Sequence, residues 1–337
     1  MTKLTRAQVL QIVKTAHDKG ERPNLSQANL SKVNLSGVYL AGADLRGANL
    51  RGADLRWASL HATLIDEQTQ IDDKWGLVWK IVNQGLAQKN LSRVDLSWAD
   101  LRQSNLGEAN LGEADLRGAH LGKADLHLVN LNEANLHKAD LRQANLSGAN
   151  LRGADLGEVN LSKTDLSGVN LAAADLSGAD LSQANLREAN MFETDMYRVN
   201  LSQANLFEAN LIAANLIEAN LSEAVLITAN LFEADLHHAV LHKADLNEAD
   251  LSRANLRLAD LRQASLQATD LCLADLYGAN LTAADLGRAN LGEADLRAAN
   301  LTQANLSETY LAQAKYNHAT LWPEAFDPTT SSAVFQA

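Results

Sequence analysis

A chain of 337 residues with 46% apolar side chains but only 4% aromatics cannot build a mixed globular core, because nearly all of its apolar residues are Leu and Ala. A net charge of −12 argues against direct nucleic-acid binding, which calls for a basic face, and the single cysteine, Cys272, rules out an intrachain disulfide. No run of 18 apolar residues is present, so no membrane span is expected.

Residues 1–22 are expected to form an N-terminal cap. Within them, 4–20 predict a helix. Thr5 is its N-cap, Gln8 completes a capping box, and Leu4 with Val9 can form a hydrophobic staple. Val9, Ile12, Val13 and Ala16 make the buried stripe, and Gly20 ends the helix. The segment lacks the apolar stretch of 7–15 residues that marks a secretory leader.

From 23 to 65 a Leu recurs every five residues, with eight centres from Leu25 to Leu60. Residues 66–90 interrupt this run. Trp75, Val78, Trp79 and Val82 fall at helical spacing and Gly85 is a stop signal. The spacing predicts a helix that projects from one corner and folds back on the outer wall.

The main run, 91–323, has 47 units with centres (position i) from Leu91 to Leu321. The centre is Leu in 44 of them, the exceptions being Met191, Met196 and Tyr316. Position i−2 is Ala in 36 units and i−1 is Asn or Asp in 40, while i+1 and i+2 vary. A helix would turn a net 140° per unit and spread the leucines over every side. A single strand would flip successive leucines to opposite faces. A short extended stretch followed by a corner keeps Leu and Ala inside, and Asn or Asp suits a corner by bonding nearby backbone. The product is a parallel all-β solenoid whose second run is roughly 56 Å long at about 4.8 Å per coil. Residues 324–337 are left as a C-terminal cap or tail, at an end that looks polar.

These units resemble the pentapeptide-repeat family, with its consensus A(D/N)LXX, over about four-fifths of the chain. The resemblance implies a right-handed quadrilateral parallel β-helix of four corners and 20 residues per coil. The 66–90 segment and the ending Tyr316–Pro328 resemble features of cyanobacterial members of that family.

Catalytic chemistry finds no foothold in a Leu and Ala core, and no cofactor is expected. The stretch Gly118–Ala124, GAHLGKA, has one residue too few between its glycines for a phosphate loop, and Ala124 stands where Ser or Thr is required. His237, His238 and His242 crowd one corner without the converging ligands zinc needs. Cys272 sits at i+1 with no activating base.

Surface patterns carry the remaining information. Residues 20 apart share a face. The face of centres 106 to 306 bears nine acids against Arg187 and Arg288, whereas that of centres 101 to 321 bears six bases against five acids. Between 191 and 232 position i+1 turns apolar on three faces, at Phe192, Tyr197, Phe207, Ile212, Ile217, Ile227 and Phe232. Such a belt is either a partner site or a set of cross-coil ladders. The sequence therefore predicts a non-enzymatic, cytoplasmic protein-binding scaffold with an unidentified protein partner, as a monomer or end-to-end dimer. The first alternative, implied by quinolone-resistance members of the family, is a DNA mimic that binds type II topoisomerase (gyrase). Its weakness is charge: about one net negative charge per 4 Å of axis here against one per ~1.7 Å in B-DNA. The second alternative is a purely structural rod.

Overall fold

Five residues suffice to occupy every backbone N–H of a unit. In Asp175–Ala179, Asp175 N–H donates to Ala154 C=O of the coil below (3.0 Å), and Leu176 and Gly178 donate to Asp195 and Tyr197 C=O of the coil above (2.7 and 2.8 Å). Ala179 N–H closes the corner on Leu176 C=O at 3.0 Å. Ser177 N–H, which points outward, is accepted by the Asp175 carboxylate at 2.8 Å. The Asn or Asp at i−1 is thus the acceptor without which one donor per unit would be orphaned. Residue i+2 takes the left-handed conformation that a type II corner requires. It does so even where it is Glu, Gln or Lys, with φ between 52 and 62° at non-glycine positions. The two ladder bonds that each unit donates to the coil above, from i and i+2, offset this strain, which is about 1–2 kcal/mol per non-glycine residue.

The computed structural model describes residues 3–324 and 326–336. Met1, Thr2, Ala325 and Ala337, which belong to the two terminal caps of the sequence reading, lie outside them. Units stack as single-residue parallel bridges 20 residues apart, from Asn90↔Asn110 through successive rungs on four sides. The centre leucines and the i−2 alanines are buried along the stack, except at its ends, where Ala28 and Leu306 are partly buried and Ala319 is exposed. Where Thr replaces Ala, at Thr164, Thr194 and Thr269, the buried hydroxyl donates to a main-chain carbonyl 23 residues earlier at 2.8–3.0 Å. On one side seven asparagines from Asn90 to Asn210 form a ladder. Each amide after the first donates to the one below at 2.9–3.2 Å.

The N-terminal cap is helix α1 (Arg6–Asp18), with the Thr5/Gln8 capping box formed and Val9 and Val13 buried on the first coil. Helix α2 (Asp73–Gln84) is where the structure departs from the sequence reading. It does not lie on the outer wall. Trp75, Val78, Ile81 and Val82 are buried in the same core as the leucines, and Ile81 went unpredicted. The first stack ends at Asp54 and Ser59 on two sides and at Leu64 and Gln70 on the others, and the second begins at Asn90 and Asp95. Among the described residues no bridge joins the two stacks. On one side they meet through Trp57, whose N–H donates to Trp98 C=O (2.7 Å) and whose indole N–H donates to Gly118 C=O (2.8 Å).

α2 spans both stacks. The Asp72 carboxylate accepts Gly52 N–H at 3.0 Å rather than capping its own helix. Asn83 bonds Ala62 N–H and Leu60 C=O (2.6 and 3.0 Å). Lys74 reaches the second stack at Asp95 and Ser97 (2.7 and 2.9 Å).

Each stack is terminated by the same six-residue unit. Ile65 to Ile71 and Tyr316 to Trp322 each contain one residue too many, and in each an Asn or Asp pairs with a Thr three residues on. Asp66 and Asn317 N–H donate to Thr69 and Thr320 Oγ1 (3.0 and 3.1 Å). The two hydroxyls donate to Leu45 and Leu296 C=O (3.1 and 2.9 Å). The extra residue shifts the register, so Asn300 pairs with Leu321. Leu321, taken from sequence as the last inward centre, is therefore turned out and is 50% exposed, while Thr320 is buried and Trp322 packs on the core. Beyond it, strand β2 (Val334–Phe335) adds one parallel rung to β1 (Lys315–Tyr316). The C-terminal end is not polar as expected: Tyr310, Leu321, Val334 and Phe335 are all exposed there.

Candidate interaction surface

Every residue of the predicted belt stands at i+1 of its unit. Phe192, Ile212 and Phe232 occupy successive rungs of one side, Tyr197 and Ile217 those of a second, and Phe207 and Ile227 those of a third. Six of the seven N–H groups are held by the Asn or Asp two residues earlier, for example Phe232 by Asn230 at 3.0 Å and Tyr197 by Asp195 at 3.1 Å. Ile227 lacks this bond because Val225 replaces the acidic or amide residue.

The structure brings the seven together over two adjacent coils and the first corner of a third, with Ser202 and Ser222 on the fourth side. It also buries them more than the sequence implied. Only Phe192 is exposed, at 38%, and the other six are half-buried. Arginines cover part of the aromatic area: Arg187 lies 4.3 Å from the Phe207 ring, Arg198 4.9 Å from Tyr197 and Arg253 5.7 Å from Phe232. Such contacts contribute about 0.5–1 kcal/mol at exposed sites.

The family model described as pentapeptide repeats (8 copies) matches residues 24–61 and, in overlapping segments, 90–315. The chain belongs to the pentapeptide-repeat family. With the family comes the right-handed quadrilateral β-helix. Among solved structures, the pentapeptide-repeat protein HetL of Nostoc sp. PCC 7120, described as involved in heterocyst differentiation regulation, is 34% identical over 68% of this chain and 85% of its own, with a TM-score of 0.21. The pentapeptide-repeat protein alr5209 of Nostoc PCC 7120 is 39% identical over 32% of this chain and 84% of its own, with a TM-score of 0.21. QnrB1, a plasmid-mediated fluoroquinolone resistance protein, is 14% identical over 60% of this chain and 89% of its own, with a TM-score of 0.30. No curated protein matches the chain.

In this pentapeptide-repeat chain the most exposed apolar corner residues lie outside the belt. Leu128, Leu258 and Leu273 stand at i+2, a position that varies along the sequence, and Leu128 is 59% exposed. Leu128 and Leu258 each lie over a glycine one rung on. A Cβ at Gly148 or Gly278 would come within 2.7 Å of the leucine. Trp98 covers Gly118 in the same way. A bulky residue followed 20 positions later by Gly is the sequence signal for these knobs.

The remaining candidates do not assemble into chemistry. The His237 and His238 rings are 4.3 Å apart, and His237 and His242 each bury an unpartnered Nδ1. Among the described residues no group of three or more His, Cys, Asp or Glu is arranged to hold a metal ion. Burial pushes the Cys272 thiol up, and Asp270 and Glu293 add to the shift. Among the described residues no helix is long and apolar enough to cross a membrane.

Charge on this surface is organised within units. Wherever the sequence reads Asp-Leu-Arg the guanidinium folds back on the carboxylate. At Arg46–Asp44 the shortest contact is 2.6 Å and at Arg262–Asp260 it is also 2.6 Å. The hydrogen bond from Arg46 holds Asp44 at a pKa of about 2, and the corresponding arginines lower Asp54, Asp115 and Asp260. Carboxylates depressed below the unfolded value of about 3.9 stabilise the fold above that pH and lose the effect as pH falls through the folded value. The melting temperature is therefore expected to hold steady from pH 7 to 5 and to drop between about pH 4 and 2. A flat acid limb in calorimetry would show that these exposed pairs contribute nothing.

Proposed function

We propose that this pentapeptide-repeat chain is a non-enzymatic protein-binding scaffold, regulatory in character, that engages its partner through the apolar belt of the second stack. The observation that carries the reading is the change at i+1 over two adjacent coils, from small, polar or charged residues to Phe, Tyr and Ile on three sides. Stacking does not demand it, since the other coils of the same stack close mostly with Ser, Arg, Gly or His at this position, Tyr277 being the one Phe, Tyr or Trp outside the belt in the five-residue units. Glu188, Glu193, Glu208, Glu218, Glu223 and Glu233 stand beside the belt, so the complementary surface is apolar and flanked by Lys or Arg. The single cysteine is consistent with a reducing compartment, and the proposal extends to a cytoplasmic setting.

Burying one Phe or Ile at an interface contributes roughly 1.5–3 kcal/mol, and three or four together can anchor a partner. Replacing Phe192, Phe207, Ile212 and Phe232 together by Ser is expected to abolish partner capture while circular dichroism and melting stay close to the parent. A sharp fall in melting would make the belt an internal staple and the protein a structural rod. The DNA-mimic alternative has a separate test. The protein at micromolar concentration is expected to leave gyrase supercoiling unchanged, and a salt-sensitive inhibition would put that reading first.

A further inference from the structure

His120 is one of the few i−1 positions of the second stack, Val225 and Val240 among the others, at which the Asn or Asp acceptor is missing. At His120 the ladder that runs through Asp100 and Asp140 substitutes an imidazole for the usual Asp or Asn. The ring stacks toward Trp57, with centroids 5.9 Å apart and planes at 24°, instead of turning back on the corner. The outward N–H of Gly122 has no partner among the described residues, whereas the equivalent N–H groups of Arg102 and Arg142 in the neighbouring rungs are accepted by Asp100 and Asp140 (3.3 and 3.1 Å). Gly122 is also not required by the backbone, since the left-handed position of this unit is Lys123. A Cβ at Gly122 would meet nothing nearer than Arg142 C=O at 3.6 Å. At Gly107 and Gly157 a neighbouring imidazole fills the equivalent space.

The result is a hollow of about 310 Å³ whose lining includes Arg102, Gly122, Lys123, Asp140 and Arg142. Both arginines are oriented in advance. Each donates Nε and Nη2 to the Asp of its own unit at 2.6–2.9 Å, which leaves the Nη1 edge without a partner among the described residues. Asp140 is therefore already engaged by Arg142, and Lys123 has no ion-pair partner among the described residues. The two guanidinium groups belong to units two rungs apart, roughly 10 Å. A phosphoryl group accepting bonds of about 2.8 Å from both sides spans most of that gap.

We infer that this hollow is a binding site for a phosphoryl dianion, with one oxygen on Gly122 N–H, where the repeat elsewhere places its own carboxylate or amide oxygen, and the others on Arg102, Arg142 and Lys123. It is not a phosphate loop, because the donors come from three successive coils and not from one glycine-rich turn. The site is independent of the apolar belt.

The test is titration calorimetry of the full chain at low salt with inorganic phosphate, a phosphoserine peptide and the unphosphorylated peptide. Saturable millimolar or tighter binding of phosphate, of the phosphopeptide or of both supports the site, and the arm that binds more tightly identifies the source of the group. His120→Asp restores the consensus acceptor at a position that tolerates it in many units. It is expected to weaken binding at least about tenfold, as losing a hydrogen bond to a charged group does. Gly122→Leu, which fills the hollow, and Lys123→Glu are expected to do the same with unchanged melting. No heat with either phosphorylated probe, equal binding of the unphosphorylated peptide, or undiminished binding by the His120→Asp and Lys123→Glu variants would overturn the inference.

Discussion

Replacing Leu176 by Ala is expected to destabilise the protein by about 2–5 kcal/mol, the sum of lost transfer and an unfilled cavity. Leu176 is fully buried at the centre of a side, and its N–H is held to the coil above at 2.7 Å, so the wall has little freedom to collapse onto the gap. Ser177, the next residue, is expected to change stability by under ~0.5 kcal/mol when replaced by Ala, because its side chain faces outward and the Asp175 carboxylate bonds its backbone rather than its hydroxyl. Guanidinium unfolding measures both. Equal losses would contradict the inside–outside alternation on which the fold rests.

Trp75→Ala is expected to have the second large effect, about 3–5 kcal/mol. Trp75 is 7% exposed and belongs to the face of α2 that fills the core between the two stacks. Repeat stacks are held mainly by nearest-neighbour interfaces, and here one interface is a helix in place of a rung. Weakening it should do more than lower a midpoint. The variant should melt in two steps, the short N-terminal stack separating from the long one, where the parent melts in one. A single transition shifted by less than ~1 kcal/mol would mean that Trp57 and the polar bonds of α2 carry the junction without the buried indole of Trp75.

The inward leucines, the capped α1 and the corners closed by Asn or Asp were legible from the five-residue period, because each follows from which side chains repeat. The left-handed residue at i+2 was not, because Glu, Gln and Lys carry no signature of it and adopt it only when two ladder bonds hold them there. The place of α2 was missed for a related reason. Periodicity identifies an apolar stripe but not what covers it, and Ile81 lies one turn beyond Val78 on the stripe that the tryptophans marked. Leu321 was misassigned because the count of five continued through a unit of six. The pairing of Asn317 with Thr320, matched by Asp66 with Thr69, was the available sign. For the candidate belt, its seven positions were readable, but their half-burial required knowing that arginines from the same and neighbouring coils fold over the rings. The hollow at Gly122 could not be read along the chain at all, since its lining is assembled from residues 20 apart. Only His120, a departure at i−1, marked the place.

The 20-residue closure of each coil also sets how such a chain can change length. Removing or duplicating 20 residues leaves every downstream side chain facing the same compass direction and merely shortens or lengthens the rod by one rung, about 4.8 Å. Removing five residues keeps every leucine inside and every corner closed, yet rotates all that follows by a quarter turn. The acid-rich side beyond the cut would then continue a different side before it. Two edits of similar mildness to the fold thus differ completely for anything that reads the surface, and a partner gripping both ends of the rod would tolerate one and lose the other.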